Sequence, residues 1–267
     1  MLPSRYFIDL TQPEIAAQFK QNPLVILPAG SVEQHGPHLP TGTDTFASTV
    51  IGHAVAERMD GLVLPATPFG VTPMHMPFEG TITLTPETYM RVVIETCAST
   101  AKHGAKSLLI LNWHEGNIPS LAIAAETLHR EHDMTVLTVQ ACYVAEELYG
   151  QSCNGLTHGG EIEALAVLAH RADLVHLDRI DYSSDHAHGH KMDKLRRTRS
   201  YQPVLTDIRS IAPTGWFGSP QHATAEKGAR MLAAIADAIA KEATEIFRQL
   251  DGVQGGAAEI KHLRQVG

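Results

Sequence analysis

Residues 24–45, LVILPAGSVEQHGPHLPTGTDT, begin as an apolar run and end among acids, histidines, glycines and prolines. A short continuous apolar segment such as LVIL (24–27) reads as a strand buried on both faces. The loop behind it holds Glu33, His35, His38 and Asp44. Extended backbone sends alternate side chains to one face, so Glu33 and His35 can share a site. Asp44 returns towards them after a turn made from Gly36, Pro37, Pro40 and Gly42. A carboxylate has two oxygens and can bridge two cations, whereas a histidine serves one. This mixed donor set suits Zn, Mn or Fe(II) without choosing among them. The competing reading is a polar loop whose acids only cap turns.

Outward from this stretch, apolar runs alternate with helical spacing. Residues 46–59 have the helical period, with Gly61 as the cap. LVLPATPF (62–69) reads as a second strand. Thr85, Pro86 and Glu87 supply an N-cap, a first-turn proline and an early acid for a helix that runs to about His103 and Gly104. SLLILNW (107–113) is the next strand, 119–132 a helix, and MTVLTVQACYV (134–144) a further strand. Helices are expected over 159–171 and 221–250. Short connections and regular alternation predict an α/β sandwich with a mainly parallel sheet. Residues 176–220 break the rhythm with HAHGH, a basic run at Arg196, Arg197 and Arg199, and APTGWFGSP. They read as an irregular lid or subunit-contact loop within one domain spanning 1–250, followed by an exposed tail, 251–267.

Composition narrows the function. The chain has 267 residues and a formal net charge of -8, with no basic block to meet nucleic acid or an anionic membrane. Its three cysteines, Cys97, Cys142 and Cys153, lack CxxC spacing and read as reduced thiols of a cytoplasmic protein. No apolar stretch approaches the roughly 20 residues needed to span a bilayer. The sixteen histidines stand out, because histidine is both the commonest metal ligand and the usual proton carrier near neutral pH.

Polar ligand types recur where predicted strands end. Glu33 and His35 follow the first strand, and His114 and Glu115 in NWHEGN (112–117) follow the third. THGGEIEA places His158, Gly159 and Gly160 before Glu161 and Glu163 on a helix's first turn, where acids are also common as partners of the helix dipole. In parallel α/β sheets the carboxyl ends of strands open on one rim, and ligands bind there.

Five motifs together resemble the creatininase (creatinine amidohydrolase) family: GSVEQHGPHLPTGTDT, FEGTITLTPET, NWHEGN, HGGEIEA and GSPQHATAEKG, in the family's order. The resemblance implies a three-layer α/β/α sandwich and a hydrolase of non-peptide C–N bonds in small molecules: amides, cyclic amides or formamides. It implies two divalent metal ions, Zn foremost with Mn or Fe(II) as alternatives, and a homo-oligomer, hexamers included. By position, Glu33 and His114 match ligands of one metal, His35 a ligand of the other, and Asp44 the bridging carboxylate. His158 matches a catalytic histidine and Glu163 the family's second helix acid. Creatininase itself resembles NGHYEN where this chain has NWHEGN, so its ligand glutamate falls on Gly116. Other relatives have a glutamate at the Glu161 position available to complete the second metal, so the resemblance favours Glu161, with Glu115 as rival. His75, Trp113, Glu115, Gly159 and Gly160 are the candidates for the substrate pocket. In this scheme the cations lower the pKa of a water from 15.7 towards roughly 7. His158, with Glu163 beside it, would then pass a proton to the leaving nitrogen. The alternatives are a non-hydrolytic metal-binding or assembly protein, and a lyase or isomerase on the same fold.

Overall fold

The computed structural model describes residues 2–153, 155–183, 186–196 and 204–254. Its sheet contains four parallel strands, β1 (Leu24–Ala29), β2 (Leu62–Val63), β3 (Ser107–Asn112) and β4 (Thr135–Gln140), in the order β2-β1-β3-β4. The helices are α1 (Gln12–Gln21), α2 (Thr43–Met59), α3 (Pro86–Lys102), α4 (Ile118–His132), α5 (Ala141–Tyr149), α6 (Glu161–Arg171), α7 (Ala187–Arg196) and α8 (Ala225–Gln254).

Strand periodicity builds three layers. On β1, Val25, Leu27 and Ala29 face a core shared with Tyr89, Val93 and Cys97 of α3 and Leu121 and Leu128 of α4. Leu24 and Ile26 face the opposite core, with Ile51 and Val55 of α2, Ile162 and Leu165 of α6, and Met231 and Ile235 of α8. Val25, Ile26 and Leu27 are wholly buried, and each such side chain contributes about 1.5–3 kcal/mol over leaving it exposed. The strand is thus a firm anchor for the loop behind it. The expected α/β/α sandwich with a parallel sheet is what the chain adopts.

Topology sets the site. The chain leaves β1 through α2 on one face and leaves β3 through α4 on the other. β1 and β3 are neighbours paired in step from Leu24↔Ser107 to Ala29↔Asn112. Their following loops therefore leave at one height and part to opposite faces. That divergence is where open α/β sheets form their binding crevice.

Several boundaries differ from the sequence reading. β2 is only two residues long, because Pro65 has no N–H to donate; backbone bonds continue nonetheless from Leu64 N to Ile26 O (2.8 Å) and Thr67 N to Pro28 O (3.2 Å). β4 stops at Gln140, and the expected strand residues beyond it form α5. Its buried Ala141, Cys142 and Ala145 have helical spacing. Asp60, not Gly61, takes the left-handed cap of α2, at φ 54°. α1 went unread; the Thr11 backbone N–H donates to Glu14 at its start (2.7 Å). Residues 176–220 contain α7 and short 3-10 turns, and Ile208, Ile211 and Phe217 pack there against Met74 and Phe78. Cys97, Cys142 and Cys153 are all buried and free of disulfides. α8 runs on to Gln254; the expected tail beyond it, and Arg197 and Arg199, lie outside the described residues. Among the described residues, no helix is long and apolar enough to cross a membrane.

Candidate metal centre

The loop after β1 folds back on the first turn of α2. The Glu33 N–H donates to Thr41 O (2.9 Å), Thr45 Oγ1 to Ser31 O (2.9 Å), and Ser31 Oγ to Asp44 Oδ2 (2.9 Å). Asp44 and Glu163 each occupy the first turn of a helix, where the dipole favours a carboxylate. Asn117, after β3, joins the loops: its amide donates to Gly30 O (2.9 Å) and its oxygen accepts from Val71 N (2.9 Å).

Two glycines allow the closest approach. Gly36 and Gly159 have φ of 75° and 74°, and a Cβ at either would lie 2.6 or 2.9 Å from Trp216. Trp216 thereby wedges between the first loop and the loop entering α6.

Glu33, His35, Asp44, His114 and Glu163 converge in the crevice, all buried. His114 Nδ1 lies 3.3 Å from Glu33 Oε2 and 3.1 Å from Asp44 Oδ2. His35 Nε2 lies 3.3 Å from Asp44 Oδ1, 3.6 Å from Glu163 Oε2 and 3.9 Å from Glu33 Oε1. Asp44 thus offers one oxygen to each histidine. Three groups of possible metal donors, each with atoms within 4.8 Å of one another, result: Glu33–Asp44–His114, His35–Asp44–Glu163 and Glu33–His35–His158.

The donor set fits cations. His35 Nδ1 donates to Glu33 O (3.0 Å) and His114 Nε2 to Val71 O (3.0 Å). Each neutral ring then turns its bare nitrogen inward, the usual arrangement behind a metal-ligating histidine. Among the described residues, His35 Nε2 is buried without a hydrogen-bond partner although carboxylate oxygens surround it. Without a cation, protons take its place. Burial opposes charge on His35, but Glu163, Asp44 and Glu33 raise its pKa to about 10. Burial likewise opposes charge on His114, which Glu33 and Asp44 raise to about 9. Burial pushes the Glu163 carboxyl up to about 8 against the pull of His35. Asp44 goes the other way: burial raises its pKa, but His35 and His114 outweigh that and hold it below the usual range.

The remaining candidates separate clearly. Glu161 points away, its carboxylate 3.5 Å from Lys227 Nζ. The acid brought to His35 and Asp44 is Glu163, because residues 161 and 163, two apart on one turn, project in different directions. Glu115 opens the turn after β3 and belongs to none of the donor groups found among the described residues. Trp113 is buried in the core beside α2 and α6. Gly159 donates its N–H to Glu163 Oε2 (2.6 Å), and a Cβ on Gly160 would overlap Thr157 Oγ1 at 1.9 Å. Both glycines thus sit where the chain packs closely on itself. His158 Nδ1 and His75 Nε2 both lie 3.7 Å from Glu33 Oε1. His38 supports the loop from behind, donating to Gly159 O (2.8 Å), and burial lowers its pKa to about 4. Gln34 and Thr72 went unread; the Thr72 hydroxyl donates to Glu33 Oε2. Neither has a ligand-type side chain, and only proximity in space marks them. An open cleft of about 410 Å³ lies above Gln34, lined also by Phe78, Arg179 and Trp216.

Such a crevice on an α/β sheet is the frame of a hydrolase able to hold metal. The family described as "Creatininase: Creatinine amidohydrolase" matches residues 8–243, and the chain belongs to the creatininase family. It is 31% identical over 224 residues to a mycofactocin precursor peptide peptidase of Mycobacterium ulcerans (strain Agy99), covering 80% of this chain and 82% of the relative. It is 29% identical over 270 residues to a creatinine amidohydrolase of Pseudomonas putida, covering 91% and 98%. A solved structure titled "Creatininase Mn" superposes with a TM-score of 0.75 at 26% identity, over 91% of this chain and 99% of that one.

Proposed function

We propose that this protein is a metal-dependent amide hydrolase that cleaves a C–N bond of a small molecule. The observation that carries this reading is the convergence of Glu33, His35, Asp44, His114 and Glu163 around a buried His35 nitrogen without a hydrogen-bond partner. Two sites share Asp44: Glu33 and His114 would complete one, His35 and Glu163 the other. Zinc and manganese both suit this oxygen–nitrogen set. Bound there, divalent cations supply Lewis acidity and an ionisable water at neutral pH.

The chain's own groups do the rest. His158 Nε2 donates to Gln34 O (2.7 Å), so its bare Nδ1 faces the crevice. Burial, with His75 and His35 nearby, keeps the ring's pKa well below the ordinary histidine value and thus the ring neutral. His158 accepts the proton of the attacking water and returns it to the leaving nitrogen. Thr72 and Ser31 hold the oxygens of Glu33 and Asp44 at fixed angles.

The similarity to a peptide peptidase supports a second substrate class, a short peptide-derived amide. The cleft is open at its mouth, where Arg179, Glu79 and Asp181 stand ready for charged substrate ends. The test is a hydrolysis screen of zinc- and manganese-loaded protein against lactams, cyclic ureides, formamides and short peptides, with metal content measured in parallel. Absence of bound metal, or metal-loaded protein that cleaves none of the four classes, would sink the proposal. The family resemblance also leads us to expect a homo-oligomer, which light scattering of the purified chain would measure.

A further inference from the structure

Four histidines face the crevice, and one is wired differently. His35, His114 and His158 each donate an outer N–H to a backbone carbonyl, of Glu33, Val71 and Gln34 respectively, and turn a bare nitrogen inward. Among the described residues, His75 meets no carbonyl on its outer side. Its Nδ1 lies 2.9 Å from the Gln34 amide nitrogen.

The orientation of that amide is fixed by two backbone groups with no choice of role. The Gly36 N–H can only donate, and it reaches Gln34 Oε1 (3.0 Å). The Gly215 carbonyl can only accept, and it lies 2.5 Å from Gln34 Nε2. One amide hydrogen goes to Gly215. The second has two ring nitrogens in reach, His75 Nδ1 at 2.9 Å and His158 Nε2 at 3.0 Å. His158 Nε2 already carries the proton it donates to Gln34 O, so it cannot accept. The second hydrogen therefore goes to His75 Nδ1. That leaves the proton of a neutral His75 on Nε2, the nitrogen 3.7 Å from Glu33 Oε1. The rings of His75 and His158 lie 4.4 Å apart, centroid to centroid, against the same carboxylate oxygen, one presenting an N–H and the other a lone pair.

We propose that Gln34 is a positioning residue that holds His75 as a hydrogen-bond donor and His158 as an acceptor, and that the His75 N–H is the catalytic donor to the substrate's carbonyl oxygen. The wiring stands on geometry alone, whereas the catalytic half rests on the hydrolase reading. A donor fixed before the reaction needs no reorganisation as charge develops on that oxygen. His75 is also excluded as a metal ligand in this form, since its inward nitrogen has no free lone pair.

The experiment is a long-range proton–nitrogen correlation spectrum of zinc-loaded protein labelled with nitrogen-15 at histidine. His75 is expected to carry its proton on Nε2 alone in the native chain. In Gln34→Glu the carboxylate oxygen facing His75 cannot donate, so Nδ1 should gain a proton. A native His75 protonated on Nδ1 overturns the wiring, and needs no variant to detect. For turnover, His75→Ala should lower kcat about 100- to 1000-fold, the cost of one oxyanion donor, with zinc content unchanged. A loss below threefold, or a loss of zinc, overturns the catalytic half. The failures are distinguishable: an inactive native protein defeats the hydrolase reading, while the spectrum still decides the wiring.

Discussion

Glu161→Gln and Glu163→Gln should have opposite consequences for metal content. The Glu163 carboxylate lies 3.6 Å from the inward nitrogen of His35 and faces the oxygen that Asp44 gives to that side. At an effective dielectric of about 20, unit charges roughly 4 Å apart attract by about 4 kcal/mol. Removing the charge thus takes on the order of three decades from the affinity of even a singly charged occupant. Relief from burying the carboxylate returns part of that. The net loss should still exceed the roughly 10- to 100-fold that removal of a supporting partner costs. Glu161 instead pairs with Lys227, whose side chain is 46% exposed, so solvent screening limits that pair to about 0–1 kcal/mol. Elemental analysis after dialysis against nanomolar free zinc should find two metals in Glu161→Gln and one in Glu163→Gln. The reverse result, with Glu163→Gln fully loaded and Glu161→Gln depleted, would refute the assignment.

Three further outcomes are expected. Thr72→Val removes the hydroxyl donor to Glu33 Oε2 and should weaken metal binding about 10- to 100-fold in a competition titration, with the circular dichroism spectrum unchanged. Gly228→Ala places a Cβ 2.2 Å from the Leu165 carbonyl, where α8 packs on α6; it should cost about 1–3 kcal/mol, read as a lower denaturant midpoint. Stripping metal with a chelator should remove the linkage stabilisation, about 4 kcal/mol for a metal held at a thousand times its Kd. That corresponds to roughly 8–16 °C in Tm, restored by adding zinc or manganese.

Much of this architecture was legible because it is periodic. Residues 24–27 and 107–113 read as strands from their continuous apolar runs, close to the observed Leu24–Ala29 and Ser107–Asn112, and the ligand types after them pointed to a shared rim. Where apolar residues run on without punctuation, as at 134–144, period alone did not mark the change from strand to helix after Gln140. The site shows the same limit. Glu33, His35, Asp44 and His114 stood out by chemical type, but the sequence weighed Glu161 against Glu115 for the remaining place, whereas one helical turn brings Glu163 beside His35 and Glu161 beside Lys227. Trp113, a pocket candidate, continues the pairing just past β3, its N–H donating to Ala29 O (2.9 Å), and packs in the core. Gln34 and Thr72 act through partners distant in sequence, which no spacing rule reveals.

The in-step pairing of β1 and β3 has a consequence for the life of the chain before it works. Ala29 lies opposite Asn112, and in that alignment Glu33 and His114 come within 3.3 Å of each other. A slip of one residue would shift His114 by about 3.3 Å and reverse which way its side chain points. On the proposed reading, metal capture would act as an inspection of the finished fold. A chain that mispairs its central strands presents no complete donor set and gains none of the cation's stabilisation.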